Sequence, residues 1–160
     1  MKMKTAAAIT SASYLGLIMP RIFQRPKQVK KVYYAHRGLH YNAGNAPENT
    51  VAAFARAVKA GYGIELDVQL TKDGQVVVTH DFHLRRNCGI NKEVDECTYE
   101  ELCQYPVFFS KERIPLLTDV LKLVDGKVPL IIELNIRMEV KSVKRRMKFC
   151  RIIKVNIALS

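Results

Sequence analysis

The chain lacks two features that would assign it to common classes of protein. Its four cysteines, Cys88, Cys97, Cys103 and Cys150, include no C-x-x-C pair and no histidine at zinc-finger spacing. We interpret them as reduced thiols, with a disulfide from Cys88 to Cys97 or Cys103 as the alternative. No apolar run reaches the roughly 20 residues of an ordinary transmembrane helix.

The chain also lacks the length of a complete large barrel. Its 160 residues suffice for one ordinary domain, but a closed eight-stranded α/β barrel needs roughly 250 residues. A composition of 48% hydrophobic and 26% charged residues, with 8 Gly and 6 Pro, is typical of a globular protein. Any barrel formed by this chain is therefore expected to be incomplete.

Acidic residues are scarce at both ends of the chain, and the net charge of +11 originates there. Residues 1–31 carry seven Lys/Arg and no Asp/Glu, and residues 135–160 carry eight Lys/Arg and only Glu139. The middle of the chain is mildly acidic, which argues against a nucleic-acid partner. Basic ends beside an apolar segment instead predict association with anionic lipid.

The apolar segment at residues 5–20 leaves four alternatives open. As a helix it would span roughly 24 Å, and it could be a short membrane anchor, a signal peptide, a helix on the membrane surface or an ordinary helix packed on the domain. If the segment spans the membrane, more positive charges follow it than precede it, which places the rest of the chain in the cytoplasm. The predicted location is therefore membrane-associated, with the catalytic part in the cytoplasm.

From residue 32 onward, strand and helix patterns alternate. An apolar and β-branched run at residues 32–35 predicts a buried strand that ends at His36. Helical spacing at residues 50–60 predicts a helix with Asn49 as its N-cap. A short helix after a capping box at Thr98, a helix at residues 114–124 and a buried strand at 129–134 follow. The fold predicted from this order is of the α/β class.

A hairpin is predicted between the first helix and the capping box. Residues 64–71 and 76–79 have strand patterns, and an Asp-Gly signal between them indicates a two-residue turn. That turn would place Asp67 opposite His80, and the period of two puts Glu65 on the same face as Asp67. Two carboxylates and a histidine should therefore meet at one end of the sheet.

Three carboxylates at predicted strand ends are candidate metal ligands. Glu65 and Asp67 share a strand face, and Glu133 is the single charge in an otherwise buried strand, where it requires a cation. Hard oxygen ligands suit Ca²⁺ or Mg²⁺. Such an ion would polarise a phosphoryl oxygen and neutralise charge that develops during displacement.

Two histidines and an arginine complete the predicted site. His36 and His80 are candidates for general acid and base, because imidazole titrates near neutral pH. Arg37 is a candidate for bidentate binding of a phosphate. The pattern predicts metal-assisted cleavage of a phosphodiester. No role is assigned to the loop residues His40, His83, Arg85 and Arg86.

These residues lie in motifs that follow one another in a fixed order. The motifs are H-R-G at 36–38, P-E-N-T at 47–50, E-x-D at 65–67, T-K-D-G at 71–74 and H-D at 80–81. Over about residues 34–134 the chain resembles the glycerophosphodiester phosphodiesterase family. The resemblance implies a TIM (β/α)₈ barrel with its site at the C-terminal strand ends, here incomplete with about the first four strands.

The resemblance also implies an activity. The family hydrolyses glycerophosphodiesters, which are small-molecule substrates, to glycerol 3-phosphate and an alcohol with a divalent metal. It implies the same roles for the two histidines, the arginine and the three carboxylates, and a supporting role for Glu48. Two alternatives remain open: an inactive truncated fragment or lipid-surface binding protein, and an activity of the lysophospholipase D type.

The pattern changes abruptly at Asn135. The family motif at this point reads Glu-x-Lys, with a lysine that helps to bind phosphate, whereas this chain has asparagine. Residues 135–160 predict either an amphipathic basic helix on a membrane or a segment read out of frame, and the second alternative favours a truncated or frame-shifted product. The predicted organisation is an apolar and basic segment at 1–31, a partial barrel at 32–134 and a basic tail at 135–160.

Overall fold

A five-stranded sheet organises the part of the chain that the computed structural model describes, residues 32–139 and 146–155, with side chains as far as Asn135. The strands are β1 Tyr34–His36, β2 Gly63–Leu70, β3 Val76–Val78, β4 Leu130–Glu139 and β5 Arg146–Val155. The helices are α1 Val51–Lys59, α2 Arg85–Cys88, α3 Tyr99–Leu102 and α4 Leu117–Val124, with a 3₁₀ turn at Val94–Glu96. The predicted membrane segment at residues 1–31 lies outside the described residues.

The centre of the sheet is parallel. β1 and β4 flank β2, and both run parallel to it. Alternate residues of β2, Ile64, Leu66 and Val68, lie buried in a core with side chains of α1 and α4. Because side chains alternate along a strand, Glu65 and Asp67 occupy the opposite face of the sheet.

The four strands predicted from the sequence are present as β1 to β4, and three of them, β1, β2 and β4, form this parallel set. Residues 76–78, predicted as a hairpin strand, do pair with β2 in the antiparallel sense as β3. Parallel strands joined through helices are the building unit of the (β/α)₈ fold. The described part of the chain therefore has the architecture of that fold without forming a closed ring.

The loop between β1 and α1 differs in one respect from the prediction. The side chain of Thr50, rather than that of Asn49, caps α1 and accepts a hydrogen bond from the Ala53 backbone N–H. Asn49 has a left-handed backbone with φ of 55°, which Asn tolerates better than most residues. Gly38 permits close packing here, since an added Cβ would lie 2.9 Å from the Cβ of Ala53.

The predicted register of the hairpin was wrong by one residue. Val68 pairs with Val78, and the backbone N–H of Thr79, rather than His80, bonds to the Asp67 carbonyl. The physical reason is the turn, which contains three residues instead of two and is closed by a bond from the Thr71 N–H to the Gln75 carbonyl. A left-handed glycine in its third position, as found here at φ of 78°, is typical of three-residue hairpins.

A second, smaller core is formed by a side chain of β3 and by side chains from the part of the chain that connects β3 to α4. Its buried members are Val77, Leu84, Val94, Cys97, Leu102, Val107 and Ile114. The predicted capping box is confirmed, because Thr98 accepts from the Glu101 N–H while the Glu101 side chain accepts from the Thr98 N–H. Cys88, Cys97 and Cys103 are free thiols, as predicted. Burial raises the pKa of Cys88 to about 11.

Beyond Asn135, the described residues 136–139 and 146–155 form strands instead of the helix that one alternative predicted. β4 continues to Glu139, and β5 pairs with it in an antiparallel ladder. In β5, basic and apolar residues alternate from residue 146 to 149, and β-branched residues follow at 152 and 153, a composition that suits a strand. Among the described residues, no helix is long and apolar enough to cross a membrane.

Candidate active site

Polar side chains gather at the carboxyl ends of the three parallel strands. His36 is the last residue of β1 and pairs in register with Glu65 of β2. Two residues further along β2, Asp67 pairs with Glu133 of β4. Because in-register residues of neighbouring strands share one face, the sheet brings together three of the predicted metal ligands and one predicted catalytic histidine.

The three carboxylates form a tight acidic cluster. One oxygen from each of Glu65, Asp67 and Glu133 lies within 4.8 Å of the others. Asp67 is 1% exposed. Burial raises the pKa of Glu65, and the negative charges of Asp67 and Glu133 raise it further. Acidic groups held this close require positive charge, and three oxygen donors at this spacing fit a divalent cation such as Ca²⁺ or Mg²⁺.

Arg37 lies beside this cluster in a constrained conformation. Its backbone is left-handed with φ of 57°, an unusual geometry for a residue with a side chain. In this geometry the Arg37 N–H donates to the Glu65 carbonyl at 2.9 Å and to the Glu65 carboxylate at 3.1 Å. The constrained backbone therefore holds both Arg37 and one candidate ligand in place.

The Arg37 guanidinium joins two acidic residues and keeps one donor without a hydrogen bond. Nη1 donates to Glu48 Oε1 at 2.9 Å, and Nε lies 3.4 Å from Asp67 Oδ2. Nε is buried and makes no hydrogen bond. The guanidinium thus links Glu48 to Asp67 of the acidic cluster, and its buried Nε faces the Asp67 carboxylate.

Two asparagines that the sequence analysis did not assign to the site hold Asp67. Asn49 Nδ2 donates to Asp67 Oδ2 at 3.0 Å, and Asn135 Nδ2 donates to Asp67 Oδ1 at 3.2 Å. Asn135 thus contacts the acidic cluster from the position where the sequence analysis expected a lysine. The P-E-N-T motif was a signal for Asn49, but its side chain was interpreted as a helix cap.

The two predicted catalytic histidines have different surroundings. His36 Nε2 lies 3.8 Å from Glu65 Oε2, and its side chain is 68% exposed. His80 follows β3, where its carbonyl accepts a hydrogen bond from Gln69 Nε2 at 2.9 Å. Its ring contacts Asp81, with Nδ1 2.7 Å from Oδ1. The structure thus places His36 directly at the acidic cluster and gives His80 a carboxylate partner of its own.

Glu48 and Arg86 form a second charged group next to the cluster. Arg86 donates to both oxygens of Glu48, at 2.6 and 3.2 Å. Although burial raises the pKa of Glu48, hydrogen bonds from Arg86, Asn42 and Arg37 lower it to about 2. Glu48 therefore stays ionised and bonds to Arg37, a partner that the supporting role expected for Glu48 did not specify, and the contact with Arg86 was missed. Nothing in the local sequence relates two residues 38 positions apart.

Comparisons with known proteins agree with this geometry. The model of a family described as the glycerophosphoryl diester phosphodiesterase family matches residues 36–159, well over half of the chain. A glycerophosphodiester phosphodiesterase of Caldanaerobacter subterraneus is 40% identical over 121 residues, which are 71% of this chain and 46% of that protein. A lysophospholipase D of Mus musculus is 33% identical over 162 aligned residues, covering 91% of this chain and 51% of that protein.

A solved structure shows the same likeness in three dimensions. The phosphodiesterase of Oleispira antarctica, determined in complex with the product sn-glycerol-3-phosphate, superposes with a TM-score of 0.58 at 30% identity. The match covers 65% of this chain and 44% of that one. The chain therefore spans about half the length of the relatives that it matches.

Proposed function

Because the chain belongs to the glycerophosphoryl diester phosphodiesterase family, we propose that its site acts in the hydrolysis of glycerophosphodiesters to sn-glycerol 3-phosphate and an alcohol. The observation that carries this proposal is the joint position of three carboxylates, His36 and Arg37 at the ends of three parallel strands. Each residue type matches one requirement of phosphodiester cleavage, namely charge neutralisation, proton transfer and binding of the phosphate.

The phosphate group would bind beside Arg37. A phosphodiester carries one negative charge, and the Arg37 side chain, which is 16% exposed, is a cation in contact with the acidic cluster. A non-bridging phosphoryl oxygen would accept from an exposed N–H of this guanidinium in a charge-assisted hydrogen bond. Glu48 keeps the guanidinium in place through Nη1, so that Arg37 does not have to reorganise when the substrate binds.

The two histidines would transfer the protons. Hydrolysis needs one group to take a proton from the attacking hydroxyl or water and another to give a proton to the leaving alcohol. His36, exposed at the mouth of the site, and His80, with its ring bonded to Asp81, are the candidates for this pair.

Glu65, Asp67 and Glu133 would hold a divalent cation, Ca²⁺ or Mg²⁺. The residues fit this role because three oxygens converge within 4.8 Å and because burial and the like charge of Asp67 raise the pKa of Glu65. When bound, the cation supplies positive charge for the phosphoryl oxygens. The three carboxylates would otherwise repel an anionic substrate.

The test measures cation binding and hydrolysis separately. The full chain is incubated with glycerophosphocholine and Mg²⁺ or Ca²⁺, and released glycerol 3-phosphate is measured. Isothermal titration with each ion is expected to show one site that Glu133→Gln weakens and the exposed control Glu100→Gln leaves unchanged. Cation binding without any product would refute the hydrolytic proposal for this chain and favour a binding role. Absence of cation binding would refute the ligand assignment.

A lysophospholipid is a second candidate substrate. A mainly apolar cavity of about 260 Å³ lies between Val68, Val76, Phe82 and Leu134, and Asn135, which contacts Asp67, also lines it. Such a cavity could accept part of an acyl chain. In that case lysophosphatidylcholine would be hydrolysed faster than glycerophosphocholine, and Val76→Asp, at a cavity residue that is 37% exposed, would remove the difference. Equal rates on both substrates would argue against this candidate.

We also propose the location predicted from sequence, with the chain membrane-associated and its catalytic part cytoplasmic. The basic and apolar residues 1–31 support this proposal by composition alone. Fractionation of cells that express the full chain, with and without residues 1–31, tests it. Recovery of both forms in the soluble fraction at low salt would contradict it.

A further inference from the structure

We propose that Arg86 is a positioning residue that holds the proton-transferring His80 and the phosphate-binding Arg37 in one arrangement, through Asp81 on one side and Glu48 on the other. This inference rests on the proposed function, because it assigns a role to Arg86 within the same site. Arg86 does not touch the acidic cluster in the described contacts. It acts through the two carboxylates between which its guanidinium lies.

Asp81 fixes the orientation of the His80 ring. An ionised carboxylate only accepts hydrogen bonds, so the 2.7 Å contact between Asp81 Oδ1 and His80 Nδ1 requires a proton on Nδ1. The neutral ring is then fixed in the tautomer that leaves Nε2 free to accept a proton. Asp81 therefore determines both the orientation and the tautomer of His80.

Arg86 in turn holds the carboxylate of Asp81. Its other oxygen, Oδ2, accepts from Arg86 Nε at 2.5 Å. Burial raises the pKa of Asp81, but hydrogen bonds from Arg86 and His80 bring it below its usual value. Asp81 follows a three-residue strand and lies in a loop, so without Arg86 its carboxylate would be free to rotate towards solvent and release the ring of His80.

The other side of the Arg86 guanidinium contacts Glu48. Nη1 and Nη2 of Arg86 both donate to Glu48, and Glu48 accepts from Arg37 Nη1 as well. One planar guanidinium thus bonds two carboxylates, one of which orients His80 and the other Arg37. Only arginine can do this, since a lysine ammonium has no planar fork of donors.

The position of Arg86 is itself supported from a neighbouring loop. The Phe108 ring lies 5.3 Å from the Arg86 guanidinium carbon, within the range of a cation–π contact. Phe108 has a positive φ of 48°, as does Phe109 with 58°, an unfavourable conformation for aromatic residues. The backbone N–H of Phe108 donates to the Asn87 carbonyl at 2.7 Å. The chain thus adopts a strained loop conformation that keeps an aromatic ring on Arg86.

The test uses the full chain and two readouts, of which only one needs turnover. The first is the ¹⁵N NMR signal of His80 in histidine-labelled protein, assigned with His80→Gln. In the native chain we expect the Nδ1-protonated tautomer at alkaline pH, and in Arg86→Ala a mixture of the two tautomers. Arg85→Ala is the matched control, because Arg85 is exposed and its side chain bonds to Asn91 rather than to Glu48 or Asp81 in the described contacts. The control should leave the signal unchanged.

The second readout is hydrolysis of glycerophosphocholine. Loss of Arg86 should lower kcat by about 10- to 100-fold, the usual effect of losing a group that orients catalytic residues. Arg86→Lys should remain impaired, and millimolar guanidinium should restore part of the activity of Arg86→Ala. Circular dichroism of each variant establishes that it is folded.

The outcomes separate this inference from the proposed function. If the native chain shows no turnover, the proposed function fails for this chain, and the NMR signal alone decides the role of Arg86. A native-like His80 signal in folded Arg86→Ala would overturn the inference. So would a kcat in that variant no lower than in Arg85→Ala, or an Arg86→Lys chain with native activity. If Arg86→Ala does not fold, Arg86→Lys takes its place in the NMR experiment, and a native-like His80 signal in that variant would likewise overturn the inference.

Discussion

Replacing Glu48 by glutamine should destabilise the chain by an amount that depends on pH. Glu48 is only 8% exposed, and its partners lower its pKa from 4.5 to about 2. A difference of about 2.5 pKa units corresponds to about 3 kcal/mol of stability at neutral pH, at 1.36 kcal/mol per unit. Glutamine keeps the shape of the side chain but removes the charge, so most of this contribution should disappear in Glu48→Gln.

The sign of the pH dependence follows from the lowered pKa. The contribution of the ionised carboxylate is fully present above the unfolded-state pKa of 4.5 and is lost as the pH falls towards about 2. The difference in unfolding free energy between the native chain and Glu48→Gln should therefore shrink from about 3 kcal/mol at pH 7 to about 1 kcal/mol at pH 3.

Urea denaturation followed by circular dichroism at both pH values measures this difference. Glu100→Gln serves as the control, because Glu100 is exposed in the first turn of α3 and its loss should change stability by a few tenths of a kcal/mol. A gap below about 1 kcal/mol at pH 7, or one that stays constant down to pH 3, would show that Glu48 is not held as an ion by its arginines.

Three further perturbations follow from single contacts. Asn49→Ala loses the hydrogen bond to Asp67 and places alanine at φ of 55°. We expect it to lower the free energy of unfolding, measured by urea denaturation, by about 2 kcal/mol. Asn49→Gly should lower it less, and equal losses in the two variants would contradict the strain argument. Gly74→Ala, at φ of 78°, should cost about 1 kcal/mol, and a neutral result would exclude the left-handed turn. Iodoacetamide should label the exposed Cys103 before Cys88, because burial raises the pKa of the Cys88 thiol to about 11. Peptide mapping measures the order of labelling, and the reverse order would contradict the burial of Cys88.

The parts of the site that follow from local periodicity were predictable from the sequence. The period of two in β2 places Glu65 and Asp67 on one face whatever the neighbours do, and a strand that stops at His36 puts this histidine at an edge. The pairing of Asp67 with Glu133 is different, because register between strands 66 residues apart depends on how α4 packs on the sheet. Sequence spacing contains no information about that packing.

The errors arose where two local rules compete. Asp-Gly suits both a two-residue and a three-residue turn, and the added turn residue moved the hairpin register so that Thr79 rather than His80 lies opposite Asp67. Asn49 is as good an N-cap as Thr50 by residue type, but its side chain bonds to Asp67. In the case of Asn49, a contact that the pattern does not encode decided between two equivalent local choices.

The five acidic residues around the site divide into two groups by the charges that they meet. Glu48 and Asp81 face arginine, which lowers the pKa of each. Partial burial and the negative charges of Asp67 and Glu133 raise the pKa of Glu65. In this second group only Asp67 has an arginine partner among the described contacts, Arg37, so the three carboxylates keep an excess of negative charge that a divalent cation would balance. A proton on Glu65 competes with that cation, so added Mg²⁺ or Ca²⁺ should raise Tm more at pH 7 than at pH 5. The experiment is a thermal melt at both pH values. An equal shift at both, or a larger one at pH 5, would mean that the ion binds elsewhere than at this cluster.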